Sequence, residues 1–358
     1  MENSRRKFLK NSASIAALST VGLSPLLSCK SNRKIERQDD GPFEWMKLSV
    51  AHWGVDRNLR RVQLCKMMGV TGGVSGGGRD IKATAKAFSN IGLEWTVLEG
   101  VSQPRVHLGL DGRDEELERF ITMIKACAEV GQDVICYNWM PAIGWSRTSM
   151  AVEDRGGSTV TAFNIADADT ELTSYGDQFT HEDIWNNVQY FLDAVVPVAE
   201  QYQVKLAVHP DDPPLARLRG IPRILTSFEN LKRFVNMYPS PYNGITFCQG
   251  CFSSMGLEVD MPTCIRWFGE RGLIHFVHFR DTRGTPENFR EVWHDDGPND
   301  MYEAMKAYYE VGFNGPIRPD HVPSITGYED VGGGYTDLGL LFAVGYMKGL
   351  MEAVYKGA

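Results

Sequence analysis

Val204-Lys205-Leu206-Ala207-Val208-His209 is a short apolar run that ends in a histidine and stops at Pro210. The chain repeats that pattern three more times. Gly244–Cys248 ends in a thiol, Ile274–Phe279 carries His278 next to its end, and Pro316–Asp320 ends in a carboxylate. Short apolar runs bounded by Gly and Pro read as buried strands. The stretches between and after them, Phe228–Met237, Pro262–Arg271 and Met301–Val311, are amphipathic and helical in spacing. The same alternation extends backward. Strands are predicted at Leu48–His52, Val70–Val74, Glu94–Glu99 and Asp133–Asn138, and helices at Leu59–Met68, Ile81–Ile91, Glu115–Val130 and Asp183–Tyr202. A last helix, Leu338–Tyr355, closes the series. A strand–helix unit repeated in this way predicts a closed parallel (β/α)₈ barrel, the TIM-barrel fold. An open doubly wound sheet is the alternative, but no Gly-x-Gly-x-x-Gly opens a helix after the first strand. Gly72, Gly73 and Gly76–Gly78 read as a tight loop after the second strand. The connection from Trp139 to His181 is far longer than the others, which predicts a lid, a binding loop or a contact within a homo-oligomer.

In this fold, active sites gather at the C-terminal ends of the strands. His209, Cys248, His278 and Asp320 therefore converge over the barrel mouth. Two imidazoles, a thiolate and a carboxylate form a donor set suited to Mn²⁺, Fe²⁺ or Zn²⁺. One histidine at a strand end would be read as a hydrogen-bonded core residue; donors at four consecutive strand ends are read as a site. Cys248-Gln249-Gly250-Cys251 also has the spacing of a redox pair or half a zinc ribbon. No second Cys-x-x-Cys exists, and the motif is expected to end a strand instead of opening a helix.

His209-Pro210-Asp211-Asp212-Pro213-Pro214, Phe247-Cys248-Gln249-Gly250, His278-Phe279-Arg280 and Arg318-Pro319-Asp320-His321 resemble, in order, signature segments of the mannonate dehydratase family. So do Gly92-Leu93-Glu94-Trp95, Cys136-Tyr137-Asn138-Trp139-Met140-Pro141 with Trp145 and Arg147, and Gly334-Tyr335. The likeness runs from about residue 44 to 356. It implies that His209, Cys248, His278 and Asp320 are metal ligands, with Mn²⁺ or Fe²⁺ ahead of Zn²⁺. It also implies that His321 and Tyr335 are a catalytic pair, with Arg318 beside them. Arg280, Arg147, Asn138 and Trp145 are candidates for contact with a small sugar-acid substrate. Val322 after His321, Asp281 after Arg280 and the segment from Val322 to Gly333 depart from the familiar pattern, which bears on the substrate more than on the reaction.

The residue types suit the implied chemistry. Dehydrating an aldonic acid removes a proton next to a carboxylate and expels the neighbouring hydroxyl. A divalent ion can bind the carboxylate and a hydroxyl, and His and Tyr can divide the base and acid roles. A sugar isomerase or epimerase on the same barrel is one alternative; such sites favour a carboxylate-rich set, and a Cys ligand speaks against it. A lipid-anchored sugar-binding protein without turnover is another, and it has no use for both His321 and Tyr335.

The N-terminus reads as an export signal over residues 1–28, a polar tether over 29–43 and a catalytic barrel over 44–358. Arg5-Arg6 followed by Phe8-Leu9 resembles a twin-arginine signal. Leu26-Leu27-Ser28-Cys29 resembles a lipoprotein box, with Cys29 as the lipidated residue and the only link to a membrane. The expected location is periplasmic. The chain carries a net charge of −8, and losing Arg5, Arg6, Lys7 and Lys10 against Glu2 takes it to about −11. No Lys/Arg cluster lies outside the leader, so a nucleic-acid partner is not expected. The remaining cysteines are scattered, and a chain of this length does not need disulfides to hold its core.

Overall fold

The computed structural model describes residues 41–51, 59–76, 80–256, 259–328 and 334–358. The export signal with Cys29, the tether up to residue 40, Gly77, Gly78, Gly332 and Gly333 lie outside the described residues. Eight parallel strands close into a barrel: β1 Lys47–Ala51, β2 Gly72–Gly76, β3 Glu94–Val101, β4 Val134–Asn138, β5 Lys205–His209, β6 Asn243–Cys248, β7 Ile274–Phe279 and β8 Pro316–Pro319. Each pairs with its sequence neighbours, and β1 closes the ring on β8. Helices α1 Leu59–Met67, α2 Ile81–Ile91, α3 Arg113–Glu129, α4 His181–Tyr202, α5 Phe228–Met237, α6 Met261–Gly269, α7 Met301–Glu310 and α8 Asp337–Gly357 follow the strands in turn. The predicted barrel is the observed one.

Local chemistry sets the helix starts. Asp80, Thr180, Ser227, Asp260, Asp300 and Thr336 stand as N-caps whose side chains accept backbone N–H bonds from the first turn. Each cap satisfies donors that the helix itself leaves open. All residues of β6, β7 and β8 are buried. They face the barrel interior on one side and the helices on the other, which is why they read as continuous apolar runs without alternation.

Two expectations change. Gly72 and Gly73 belong to β2, not to a loop after it. A Cβ at Gly72 would lie 2.3 Å from Ser49 Oγ and 2.9 Å from Thr96 Cγ2, so only glycine lets the strand pass between those two inward side chains. The long connection after β4 is built as structure. Its strands Ser149–Glu153 and Thr159–Asn164 form an antiparallel sheet with Asn288–Glu291 and Thr282–Thr285, a hairpin from the connection after β7. Phe163 and Phe289 stack with centroids 5.9 Å apart inside a small core shared with Leu215 and Leu218. A bridge from Thr159 to Ser324 ties in the connection after β8. This sheet carries side chains from distant parts of the sequence to the barrel mouth.

Candidate metal centre

Strand register places the donors at one level. Asn138 pairs with His209 across β4 and β5, Cys248 with His278 across β6 and β7, and His278 with Arg318 across β7 and β8. Asp320 follows β8 directly. Ligand atoms of Cys248, His278 and Asp320 lie within 4.8 Å of one another, as do those of His209, Cys248 and Cys251. His209 Nε2 is 3.2 Å from His278 Nδ1, and His278 Nδ1 is 3.5 Å from Asp320 Oδ2. The four strand-end donors predicted from sequence thus meet in one buried cluster.

His209 Nδ1 lies 2.7 Å from the Pro210 carbonyl. A carbonyl only accepts, so Nδ1 carries the proton. In the neutral ring the Nε2 lone pair then faces the cluster, the orientation a ligand needs.

Around the donors runs a ring of buried charge. Arg280 reaches Asp320 Oδ2 through Nε at 2.6 Å, Glu291 through Nη1 at 2.7 Å and Asp212 through Nη2 at 2.9 Å. Arg318 spans Glu99 at 2.8 Å and Asp320 Oδ1 at 2.7 Å. Arg147 holds Asp212 at 2.5 Å and Glu291 at 2.6 Å. Burial alone would push these carboxyls up, but the guanidiniums and imidazoles around them win. Glu99 falls to about 2, held chiefly by Arg318 and His278; Asp212 and Glu291 fall too, and Asp320 falls well below the usual carboxylate range. Cys248 behaves likewise. Burial disfavours its thiolate, yet the Cys251 thiol, Arg280 and His209 hold its pKa well below that of an ordinary thiol. Burial would keep His209 uncharged, but the Cys248 thiolate beside it lifts its pKa to about 9.

These directions leave four carboxylates and one thiolate against three guanidiniums and the His209 imidazolium, all buried. The surplus is one negative charge while His209 keeps both ring protons, and two once its Nε2 is freed to act as a ligand. A divalent cation matches that surplus, and a cluster of soft and hard donors lies where it would be met. The residues present therefore fit a bound M²⁺ ion.

The acid–base candidates stand on the rim. His321 Nδ1 is 3.0 Å from Glu291 Oε1, which leaves Nε2 4.0 Å from Asp320 Oδ1. Tyr335 donates its hydroxyl to Asp320 Oδ1 at 3.0 Å, and its ring meets His321 edge-on at 5.4 Å. Burial and the neighbouring Asp320 and Glu99 carboxylates keep the Tyr335 phenol protonated, outweighing Arg318. Trp145 packs over His321 at 5.2 Å. Together with Asn138, Arg280, Arg318 and Met140, these residues line a cavity of about 250 Å³.

Arg147 is a correction. It was a candidate for contact with substrate, but its guanidinium is buried behind Trp145 and its two terminal nitrogens, Nη1 and Nη2, are committed to Asp212 and Glu291. Cys248–Cys251 is another, since the motif ends β6 and also opens a short helix, Gln249–Ser254. Glu99, Asp212 and Glu291 were not singled out from sequence. Glu99 had a signal, as it ends the predicted third strand. Glu291 had none, because a hairpin remote from β8 delivers it. Asp281, a departure from the family pattern, bonds Thr282 and Asn299 and braces its own loop away from the donors.

A family model described as D-mannonate dehydratase (UxuA) matches residues 73–174 and 164–358. Mannonate dehydratase 2 of Halalkalibacterium halodurans is 33% identical over 346 residues, covering 86% of this chain and 99% of that protein. Mannonate dehydratase of Thermotoga maritima is 34% identical over 312 residues, covering 77% and 86%. The crystal structure of mannonate dehydratase from Streptococcus suis serotype 2 superposes with a TM-score of 0.80 at 31% identity, covering 87% of this chain and 95% of that one.

Proposed function

The chain belongs to the D-mannonate dehydratase family, and on that premise we propose that it converts D-mannonate to 2-keto-3-deoxy-D-gluconate and water with one divalent ion at the barrel mouth. Its relatives mark it as a hydro-lyase. The observation that carries the finer reading is the buried charge surplus at the strand ends, set beside an acid–base pair. His209, Cys248, His278 and Asp320 would hold the ion, Mn²⁺ or Fe²⁺ ahead of Zn²⁺. When bound, it supplies Lewis acidity toward the substrate carboxylate and an adjacent hydroxyl.

The chain's own residues divide the proton work. Glu291 fixes His321 with Nδ1 protonated, so Nε2 is free to take the proton from the carbon next to the carboxylate. Tyr335 keeps its proton and gives it to the departing hydroxyl, which leaves as water. The enol that remains becomes the 2-keto acid by tautomerisation. Arg280 and Arg318 line the cavity with positive charge where negative charge develops, and Trp145 covers His321 from solvent. Arg147 acts on substrate only through Asp212 and Glu291.

The test is to incubate the metal-loaded protein with a panel of aldonic acids and measure α-keto acid. D-mannonate is expected to give product. Product from a different aldonate alone would keep the reaction and replace the substrate, and no product from any of them would overturn both. We also propose that Arg5-Arg6 with Phe8-Leu9 directs export and that Cys29 carries a lipid. Cell fractionation that finds the chain only in the cytoplasm, with its N-terminus uncut, would refute this.

A further inference from the structure

Cys248 leaves β6 with φ −86° and ψ 97° and stands directly before the helix Gln249–Ser254. The three-residue spacing brings Cys251 round to the same side of the first turn. Both side chains are buried, neither is in a disulfide, and their sulfurs lie within 4.8 Å of each other and of a His209 ring nitrogen. Gly250 between them matters. A Cβ there would lie 2.2 Å from Arg280 Nη1. Without one, Arg280 Nη2 sits 3.4 Å from Cys248 Sγ and 3.7 Å from Cys251 Sγ. Cys65, Cys127 and Cys264 are buried thiols on helices packed into the apolar core. Cys251 differs from them, because a thiolate, an imidazole and a guanidinium surround it.

We infer that His209, Cys248 and Cys251 form a second ligand set, overlapping the first, which takes a thiophilic divalent ion such as zinc. The inference rests on the metal centre proposed above and adds Cys251 to it. Two sulfurs and an imidazole suit a borderline-soft ion that accepts tetrahedral geometry. A carboxylate, two imidazoles and one sulfur suit Mn²⁺ or Fe²⁺. The two sets share His209 and Cys248, so one ion excludes the other. An ion in the second set gives up Asp320 and His278, the donors next to Tyr335 and His321. Cys251 thereby sets which metal the mouth prefers.

Zinc X-ray absorption on the full chain loaded with one equivalent of Zn²⁺ tests this. Two sulfur neighbours at about 2.3 Å are expected, and one in Cys251→Ser. Zinc affinity is expected to fall at least about 10-fold in that variant, while manganese affinity stays within a few-fold. One sulfur in the unaltered protein, or an equal loss of affinity for both metals, would overturn the second set and leave the metal centre standing. Failure to bind either ion, or recovery of Cys248 and Cys251 as a disulfide in the loaded protein, would overturn both.

Discussion

The barrel has a cavity at each end, and the larger is the plainer one. Near the strands' N-terminal ends, Lys47, Phe88, Glu94, Trp95 and Asp133 line about 410 Å³. Its one ion pair, Lys47 with Glu94 at 2.6 Å, leaves both side chains about half exposed. The mouth encloses about 250 Å³, yet every ionic group on it is buried and tied to at least one opposite charge. The difference teaches that convergence, not volume, marks the working end. Water can solvate Lys47 and Glu94 separately, so their pairing is worth little. The mouth groups have lost that option and must be satisfied by each other and, on this account, by a cation.

The comparison breaks most visibly if the mouth works without metal. Chelation, or Asp320→Asn, is expected to take turnover to background, roughly 10⁴-fold, because Lewis-acid stabilisation is worth several kcal/mol. Metal analysis and initial rates check this together. Glu94→Gln at the opposite end is expected to leave the rate within a few-fold. Next come the proton carriers. Tyr335→Phe and His321→Asn are each expected to lower kcat on the order of 10²–10⁴-fold while about one metal per chain is retained. A loss of metal in step with the rate would make them structural instead.

Stability sharpens the same contrast. Arg147→Met strands Asp212 and Glu291 short of one guanidinium and is expected to destabilise the fold by about 3–5 kcal/mol in urea denaturation. Lys47→Ala is expected to cost less than about 1 kcal/mol. Equal effects would mean that the mouth network is no more than a surface cluster.

A separate, pH-dependent effect comes from three histidines outside the donor cluster. Burial holds His107 and His275 at about 3 and His294 at about 4, below the ordinary value of 6.5. The unfolded chain therefore binds protons below pH 6.5 that the folded chain refuses. Stability falls as pH drops from 6.5 toward 4, by up to about 1.4 kcal/mol per pH unit for each histidine. Denaturation midpoints across that window check the sign; a protein that gains stability on acidification would contradict it.

The fold was legible because its strands are buried on both faces, so Val204–His209 and Ile274–Phe279 could be read without partners. The donors were legible because one rule, function at strand ends, selects His209, Cys248, His278 and Asp320. That rule would also have found Glu99 had it been applied to β3. Glu291 and the true place of Arg147 were not legible, since both depend on an antiparallel sheet assembled from the connections after β4 and β7. A sequence shows that Arg147 is charged, not that Asp212 and Glu291 already hold it. The helix Gln249–Ser254 is too short to show a period, so the start it gives to Cys248–Cys251 was hidden as well.

The central claim is that one divalent ion at the strand ends serves dehydration of a sugar acid. Titrating metal-free protein with Mn²⁺ while following α-keto acid from D-mannonate tests it most directly. Product formation should rise from background and level off at about one equivalent per chain, as expected for a single site formed by four ligands. Full turnover before any metal is added, or none after several equivalents, would contradict it.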